Sequence, residues 1–279
     1  MRILSATARV AGIAGWPVSH SRSPAIHGFW LERHGIDGAY IPLPIAPAAF
    51  ATAMRGLMAA GFAGANVTVP HKQAAFALCE RVDDAARRAG AVNTLTFRDG
   101  RVLGSNTDLF GFTEGLRDAG IDPAAGPALI LGAGGAARAV AVALLDLGVA
   151  VTVANRTEAR ATALARDLPG LRIVPWEQCP AVLTEVALVV NATTLGMGGR
   201  GTPLLDFSRA APGMVVTDLV YVPLETPFLA AARRHGLVGI DGLGMLLHQA
   251  RPGFAAWFGV DPRVDSELRD YVLADLARP

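Results

Sequence analysis

The stretch Ala128-Leu129-Ile130-Leu131-Gly132-Ala133-Gly134-Gly135-Ala136-Ala137 decides the fold. Four apolar residues without a charge suit a strand buried on both faces, and the run that follows, Arg138 to Leu147, has a helical composition. The junction reads G-x-G-x-x-A. Gly132 permits the tight turn, Gly134 lets the backbone approach a pyrophosphate, and Ala137 allows close packing of helix on strand. Gly132, Ala133, Gly134, Gly135 and Ala136 are therefore candidate contacts of a dinucleotide, whose phosphates take the N–H groups at the helix start.

Toward the C-terminus, strand-like runs near 149–154, 171–174, 187–191, 215–219 and 237–240 alternate with helix or loop segments. With 128–131 they make six strands, the pattern of a doubly wound parallel sheet. Cofactor choice is read at the end of the second strand. An NAD site usually places Asp or Glu there for the ribose 2′-hydroxyl, whereas this chain has Asn155-Arg156-Thr157, with Arg160 one turn on. Without the acid nothing repels a 2′-phosphate, and a guanidinium can bind it bidentately or stack on adenine, so NADP is the expected cofactor.

Toward the N-terminus, a first strand at 10–15 empties into Trp16-Pro17-Val18-Ser19-His20-Ser21-Arg22-Ser23-Pro24, with Ser23 the expected N-cap and Pro24 in the first turn of a helix. Further strands are expected at 39–43 and 64–69, each followed by a helix. An Asp99-Gly100 turn closes a hairpin over 94–103. Ser21, Ser23, Asn66, Thr68, Lys72, Asn93, Asn106, Thr107 and Asp108 cluster at strand ends, where loops build sites, and such hydrogen-bonding groups suit a small polyhydroxylated ligand. Lys72 and Asp108 are the candidate acid–base pair, since reducing a carbonyl needs a proton delivered as hydride arrives.

Composition narrows the classes. At 52% hydrophobic and 18% charged, the chain has the apolar content of packed cores. Lys and Arg total 25 against 24 acids, a net charge of +1, so no global field draws it to nucleic acid or an anionic membrane. Met1 to Ala6 lack the apolar run of a signal peptide, and no stretch reads as a membrane span. Cys79 and Cys179 have no metal-ligand or CxxC spacing and read as small side chains of a reduced, cytoplasmic protein. His20, His27, His71 and His248 likewise lack the H-x-x-x-H spacing of a helical metal pair, so no metal is expected.

Several ordered segments together carry a resemblance. They are His20-Ser21-Arg22-Ser23-Pro24, Asn66-Val67-Thr68-Val69-Pro70-His71-Lys72, Ala91-Val92-Asn93-Thr94, Asn106-Thr107-Asp108, Asn155-Arg156-Thr157, Asn191-Ala192-Thr193-Thr194-Leu195-Gly196-Met197, Asp218-Leu219-Val220-Tyr221, and Gly242 through Gln249. With the glycine fingerprint, they make the chain resemble the shikimate dehydrogenase family over nearly its whole length. Two positions depart from it: Gly28 after His27, and Val222 between Tyr221 and Pro223, both where the family often has asparagine.

The resemblance implies an α/β protein of two domains. Residues 1–107 form the substrate and catalytic domain, 108–242 a doubly wound Rossmann NADP domain, and 243–279 helices that return to the first domain, with the substrate pocket between the two domains. It implies that Ser21, Ser23, Thr68, Asn93, Asp108, Tyr221 and Gln249 bind the substrate, with Lys72 as catalytic acid–base. Thr193, Met197, Leu219 and Gly242 then lie near the nicotinamide, and Asp84 is a cofactor-side candidate that helix polarity explains equally well. The expected reaction is reversible reduction of 3-dehydroshikimate to shikimate by NADPH, in a monomer or homodimer. A quinate/shikimate or aminoshikimate-type dehydrogenase is an alternative within the family. A non-catalytic nucleotide-binding protein is one outside it, disfavoured by the presence of both Lys72 and Asp108.

Overall fold

Alternation of strand and helix begins near the N-terminus of the computed structural model, which describes residues 3–277. The chain divides into two units, Met1–Thr107 with Gln249–Pro279, and Asp108–His248. In the first unit the order is β1 (Arg9–Gly15), α1 (Ser23–Arg33), β2 (Gly38–Pro44), α2 (Phe50–Ala59), β3 (Gly64–Val67), α3 (Lys72–Leu78), β4 (Arg81–Val82), α4 (Asp84–Ala89), β5 (Thr94–Arg98) and β6 (Arg101–Ser105). The second holds α5 (Asp108–Asp118), β7 (Ala128–Leu131), α6 (Gly135–Asp146), β8 (Val151–Ala154), α7 (Glu158–Asp167), β9 (Leu171–Ile173), α8 (Cys179–Val182), β10 (Leu188–Asn191), β11 (Val215–Asp218), α9 (Pro227–Arg234) and β12 (Val238–Ile240). Helix α10 (Leu243–Phe258) begins in the second unit and ends in the first, followed there by α11 (Ser266–Leu276).

The second unit's sheet runs β12-β11-β10-β7-β8-β9, all parallel. Read from β9 this is the 3-2-1-4-5-6 order of a Rossmann sheet, whose switch point lies between β7 and β10. Residues 128–131, 151–154 and 188–191 are buried throughout, as strands covered on both faces require. Leu129, Leu131, Val189, Val216 and Phe228 share one core.

The first unit's sheet is mixed, in the order β2-β1-β3-β5-β6-β4. β1 pairs in parallel with β2 and β3, while β5 is antiparallel to β3 and β6. Its core joins Phe50, Met54, Val67, Leu95 and Val102. The C-terminal helices pack here through specific polar ties. Trp257 Nε1 donates to the Leu95 carbonyl at 2.9 Å, Arg22 pairs with Asp275 at 3.0 Å, and Arg33 pairs with Asp265 at 2.6 Å.

Three details differ from the sequence reading. Ser23 is the first residue of α1 and not its cap; Arg22 takes that position, and the Ser23 N–H is met instead by Ser21 Oγ at 3.3 Å. The third strand stops at Val67, two residues short of Val69, because the chain turns there: the His71 N–H donates to the Thr68 carbonyl at 2.9 Å, and Pro70 has no N–H for a ladder. The second break between units falls after His248, inside α10, where the expected position is after 242. A continuous helix leaves no loop at which composition could mark that break.

Candidate nucleotide and substrate sites

At the end of β7 the chain enters Gly132 at φ 114°, a conformation L side chains rarely adopt. A Cβ there would also lie 3.1 Å from the Ala192 carbonyl oxygen. Gly134 caps α6 with its backbone only, and no acidic residue stands in the first turn, so the N–H groups of Gly135 and Ala136 keep their positive end for an anion. A Cβ added at Gly134 meets no protein atom within 4 Å.

Before this turn opens a cavity of about 430 Å³. Gly132, Ala133 and Gly134 line it from the end of β7, Asn155, Arg156 and Arg160 from the end of β8 and the first turn of α7, and Thr193 from beyond β10. These are three neighbouring strands of the sheet. Among the described residues that line the cavity, none is Asp or Glu. Asn155 Nδ2 donates to the Thr157 carbonyl at 2.8 Å, which holds the turn carrying Arg156. Thr157 itself is the N-cap of α7. Trp176, Thr202 and Leu204 also line the cavity, and the sequence reading names none of them. They come from segments remote in sequence, and no motif marks them.

On the other side of the switch point, Asn191 and Asp218 form a buried polar knot. Asp218 accepts from Asn191 Nδ2 at 2.8 Å, from the Val220 N–H at 3.0 Å and from Thr226 Oγ1 at 2.7 Å. Burial raises the Asp218 pKa above the ordinary carboxylate value, against the pull of these donors. Asn191 Oδ1 accepts from Thr193 Oγ1 at 2.7 Å, and the Leu195 N–H donates to Thr193 Oγ1 at 3.1 Å. The knot thus holds Thr193 and leads directly into Leu219 and Tyr221, both partly buried. Gly242 is required beside it, since a Cβ would stand 2.3 Å from the Leu219 carbonyl oxygen. Met197 opens a 3₁₀ turn and is 57% exposed.

In the first unit, Gly15, Val67 and Asn93 stand at one end of three adjacent strands, fixed by the pairings Ala14–Val67 and Asn66–Thr94. The segments that leave this end carry Ser21, Ser23, Thr68 and Lys72, and Lys72 is the first residue of α3. The Val92 N–H donates to the Lys72 carbonyl at 3.0 Å, which joins the start of α3 to the residue before Asn93. Asn93 Oδ1 receives the Thr107 N–H at 2.8 Å, Thr107 Oγ1 at 3.2 Å and Thr94 Oγ1 at 3.0 Å. Three donors on one oxygen fix the direction of the amide. Beneath it, Tyr40 donates to Asn66 Oδ1 at 2.6 Å, and Asn66 Nδ2 donates to Thr94 Oγ1 at 3.0 Å.

Gln249 lies one turn before Gly253 in α10, and a Cβ at Gly253 would touch the Thr94 side chain at 3.4 Å. Since Trp257, one turn further along, reaches Leu95, the helix runs with Gln249 toward the Asn93 end of β5. Asp108, 4% exposed, opens α5 in the second unit, directly after the Thr107 that Asn93 holds. Asp84 stands exposed in the first turn of α4, where it pairs with Arg87. Two of the histidines are engaged locally: His71 Nε2 lies 2.8 Å from the Ile45 carbonyl oxygen, and His27 stacks on Tyr40 at 3.9 Å between centroids.

By its second sheet and glycine turn the protein is a dinucleotide-binding Rossmann protein. Residues 13–95 match the shikimate dehydrogenase substrate binding domain, and residues 122–196 match shikimate / quinate 5-dehydrogenase. The chain is 64% identical over 274 residues to shikimate dehydrogenase (NADP(+)) of Acidiphilium cryptum, covering 98% of this chain and 99% of that one. It superposes with a TM-score of 0.87 on shikimate 5-dehydrogenase of Thermus thermophilus, solved with NADP(H) and shikimate, at 41% identity over 95% of this chain and 99% of that one. Quinate dehydrogenase of Corynebacterium glutamicum, solved with NAD, gives 0.88 at 33% identity, with 96% and 99% covered. The chain belongs to the shikimate dehydrogenase family.

Proposed function

We propose that this protein is an NADP-dependent dehydrogenase that interconverts 3-dehydroshikimate and shikimate, a step of chorismate and aromatic amino acid biosynthesis. The observation that supports this best is the cavity at the glycine turn, which presents Asn155, Arg156 and Arg160 and is lined by no carboxylate among the described residues. The match to shikimate dehydrogenase (NADP(+)) over nearly the full length agrees with it.

NADPH, when bound, supplies the hydride that reduces the ring carbonyl. Gly132 to Ala136 would hold its pyrophosphate and Arg156 its 2′-phosphate, and Thr193, Met197, Leu219 and Gly242 would lie near the nicotinamide. Lys72 gives a proton from Nζ to the carbonyl oxygen, and in the reverse direction takes one from the hydroxyl. Ser21, Ser23, Thr68, Asn93, Asp108, Tyr221 and Gln249 bind the substrate's hydroxyls and carboxylate. Much of the rate comes from this positioning, as it does wherever two reactants are held in order. Asp84 is the weakest of the proposed cofactor contacts, because its ion pair with Arg87 and its place in a first helical turn already account for it.

The thiols take no part: burial pushes Cys79 up to about 12 and Cys179 to about 11, so neither is a thiolate near neutral pH. Both are free, which suits a cytoplasmic enzyme. Among the described residues no helix is long and apolar enough to cross a membrane. A monomer or homodimer goes with this reading, and sedimentation of the full chain distinguishes the two.

Initial rates with shikimate and quinate, each with NADP and NAD, test the proposal. The shikimate–NADP pair is expected to be fastest. A preference for quinate with NAD would move the chain to that branch of the family, and no turnover with any pair would leave a nucleotide-binding protein without chemistry.

A further inference from the structure

The cavity at the glycine turn has a wall that no motif accounts for. Trp176 lies in the segment after β9, the strand outward of β8, and therefore on the same side of the switch point as Asn155 and Arg156. The Val174 N–H donates to the Val153 carbonyl at 3.1 Å, so the chain stays paired to β8 past the end of β9 and delivers Trp176 beside the end of β8. Its indole packs partly on the core of Leu129, Val174 and Phe228 and lines the cavity as well. The core contact anchors the ring, which lowers the entropy lost when a ligand stacks on it.

A 2′-phosphorylated adenosine offers this side two chemistries, an anion and a flat apolar base. Arg156 and Arg160 suit the first. We infer that Trp176 is the platform for the adenine ring, with Leu204 completing an apolar wall, so that it sets affinity for the adenosine half of the cofactor. The inference rests on the dinucleotide reading above and not on the identity of the substrate. A stacked base is worth about 1–3 kcal/mol on removal of its aromatic partner, which corresponds to roughly a 5- to 150-fold loss of affinity.

Calorimetric titration of the full chain with adenosine 2′,5′-bisphosphate and with AMP tests it, using Trp176→Ala, Trp176→Leu and Trp176→Phe. The Leu variant keeps an apolar side chain against the core and lacks a π face, so it carries the test if the Ala variant unfolds. Affinity for both ligands is expected to fall about tenfold in the Leu and Ala variants and to stay within about threefold in the Phe variant. Retained affinity in Trp176→Leu, or a tenfold loss in Trp176→Phe, overturns the inference. The two readings separate on the wild type, which should bind the bisphosphate more tightly than AMP. If the wild type bound both ligands equally, the 2′-phosphate assignment would fail while the Trp176 result stood.

Discussion

Lys72 opens α3 a few residues beyond the end of β3, and its carbonyl is tied to the Val92 N–H, so the backbone that carries the ammonium is fixed on both sides. Proton transfer by a positioned side chain contributes about 10²–10⁴-fold, and Lys72→Ala should therefore lower kcat at least about a hundredfold while shikimate still binds. Steady-state rates with a calorimetric Kd for shikimate check this, and near-full turnover in the variant would remove Lys72 from the chemistry. Arg156 is a binding residue on this reading. A hydrogen bond to a charged group is worth about 1.5–3 kcal/mol, so Arg156→Ala should raise the KM for NADPH about tenfold or more with little change in kcat. An unchanged KM would refute the phosphate contact. Both residues are legible in the sequence because each sits at a motif position next to a predicted strand. Trp176 is not, since a lone aromatic in a loop reads as ordinary apolar surface or core.

At the scale of elements, the buried knot of Asn191 and Asp218 ties the ends of β10 and β11 to the N-terminus of α9, whose cap is Thr226. Thr226 Oγ1 both donates to Asp218 and accepts the Leu229 N–H at 3.3 Å, so one carboxylate organises two strand ends and a helix start. Asp218→Ala leaves three buried donors without their acceptor. Each lost partner costs about 1–3 kcal/mol, and the variant should lose at least about 3 kcal/mol in urea unfolding. A loss below about 0.5 kcal/mol would show that water or relaxation replaces the knot. The sequence reading places Asn191 and Asp218 in motifs without giving them roles. They stand in neighbouring strands 27 positions apart, and only the parallel register that sets Asn191 against Asp218 brings them together. The short strand β4 is likewise invisible in the sequence, because two residues carry no periodicity.

For the molecule as a whole, His27 links folding to pH. It is fully buried among Tyr40, Trp30, Phe254 and Trp257, and neither ring nitrogen has a hydrogen-bond partner. Burial lowers its pKa from 6.5 to about 3. The folded protein therefore holds the neutral ring, while the unfolded chain takes up a proton once pH falls below about 6.5. The stability involved is fully present above pH 6.5 and is lost as pH falls toward about 3, with a limiting slope of about 1.4 kcal/mol per pH unit. Urea titrations from pH 7.5 to 4.5 should show a steeper acid loss in the wild type than in His27→Phe, and parallel curves would contradict the assignment. The sequence reading rejects a metal role for this histidine but has no basis for its depth, which comes from α10 and α11 folding back onto α1 and β2.

By itself the sequence determined the alternating strands of the second unit, the glycine turn at 132–137 and the expectation of NADP. Those features are local: each depends on residue types within a few positions, whose backbone conformations and charges are set where they stand. Tertiary structure decided what distant segments share. Strand order put Trp176 beside Arg156 and Asp218 beside Asn191, and the antiparallel pairing of β5 with β3 brought Asn93 to the end where Thr68 and Lys72 begin. Strand pairing is a choice among partners far apart in the chain, and it is made by the packing of whole faces, which no short window of residues contains.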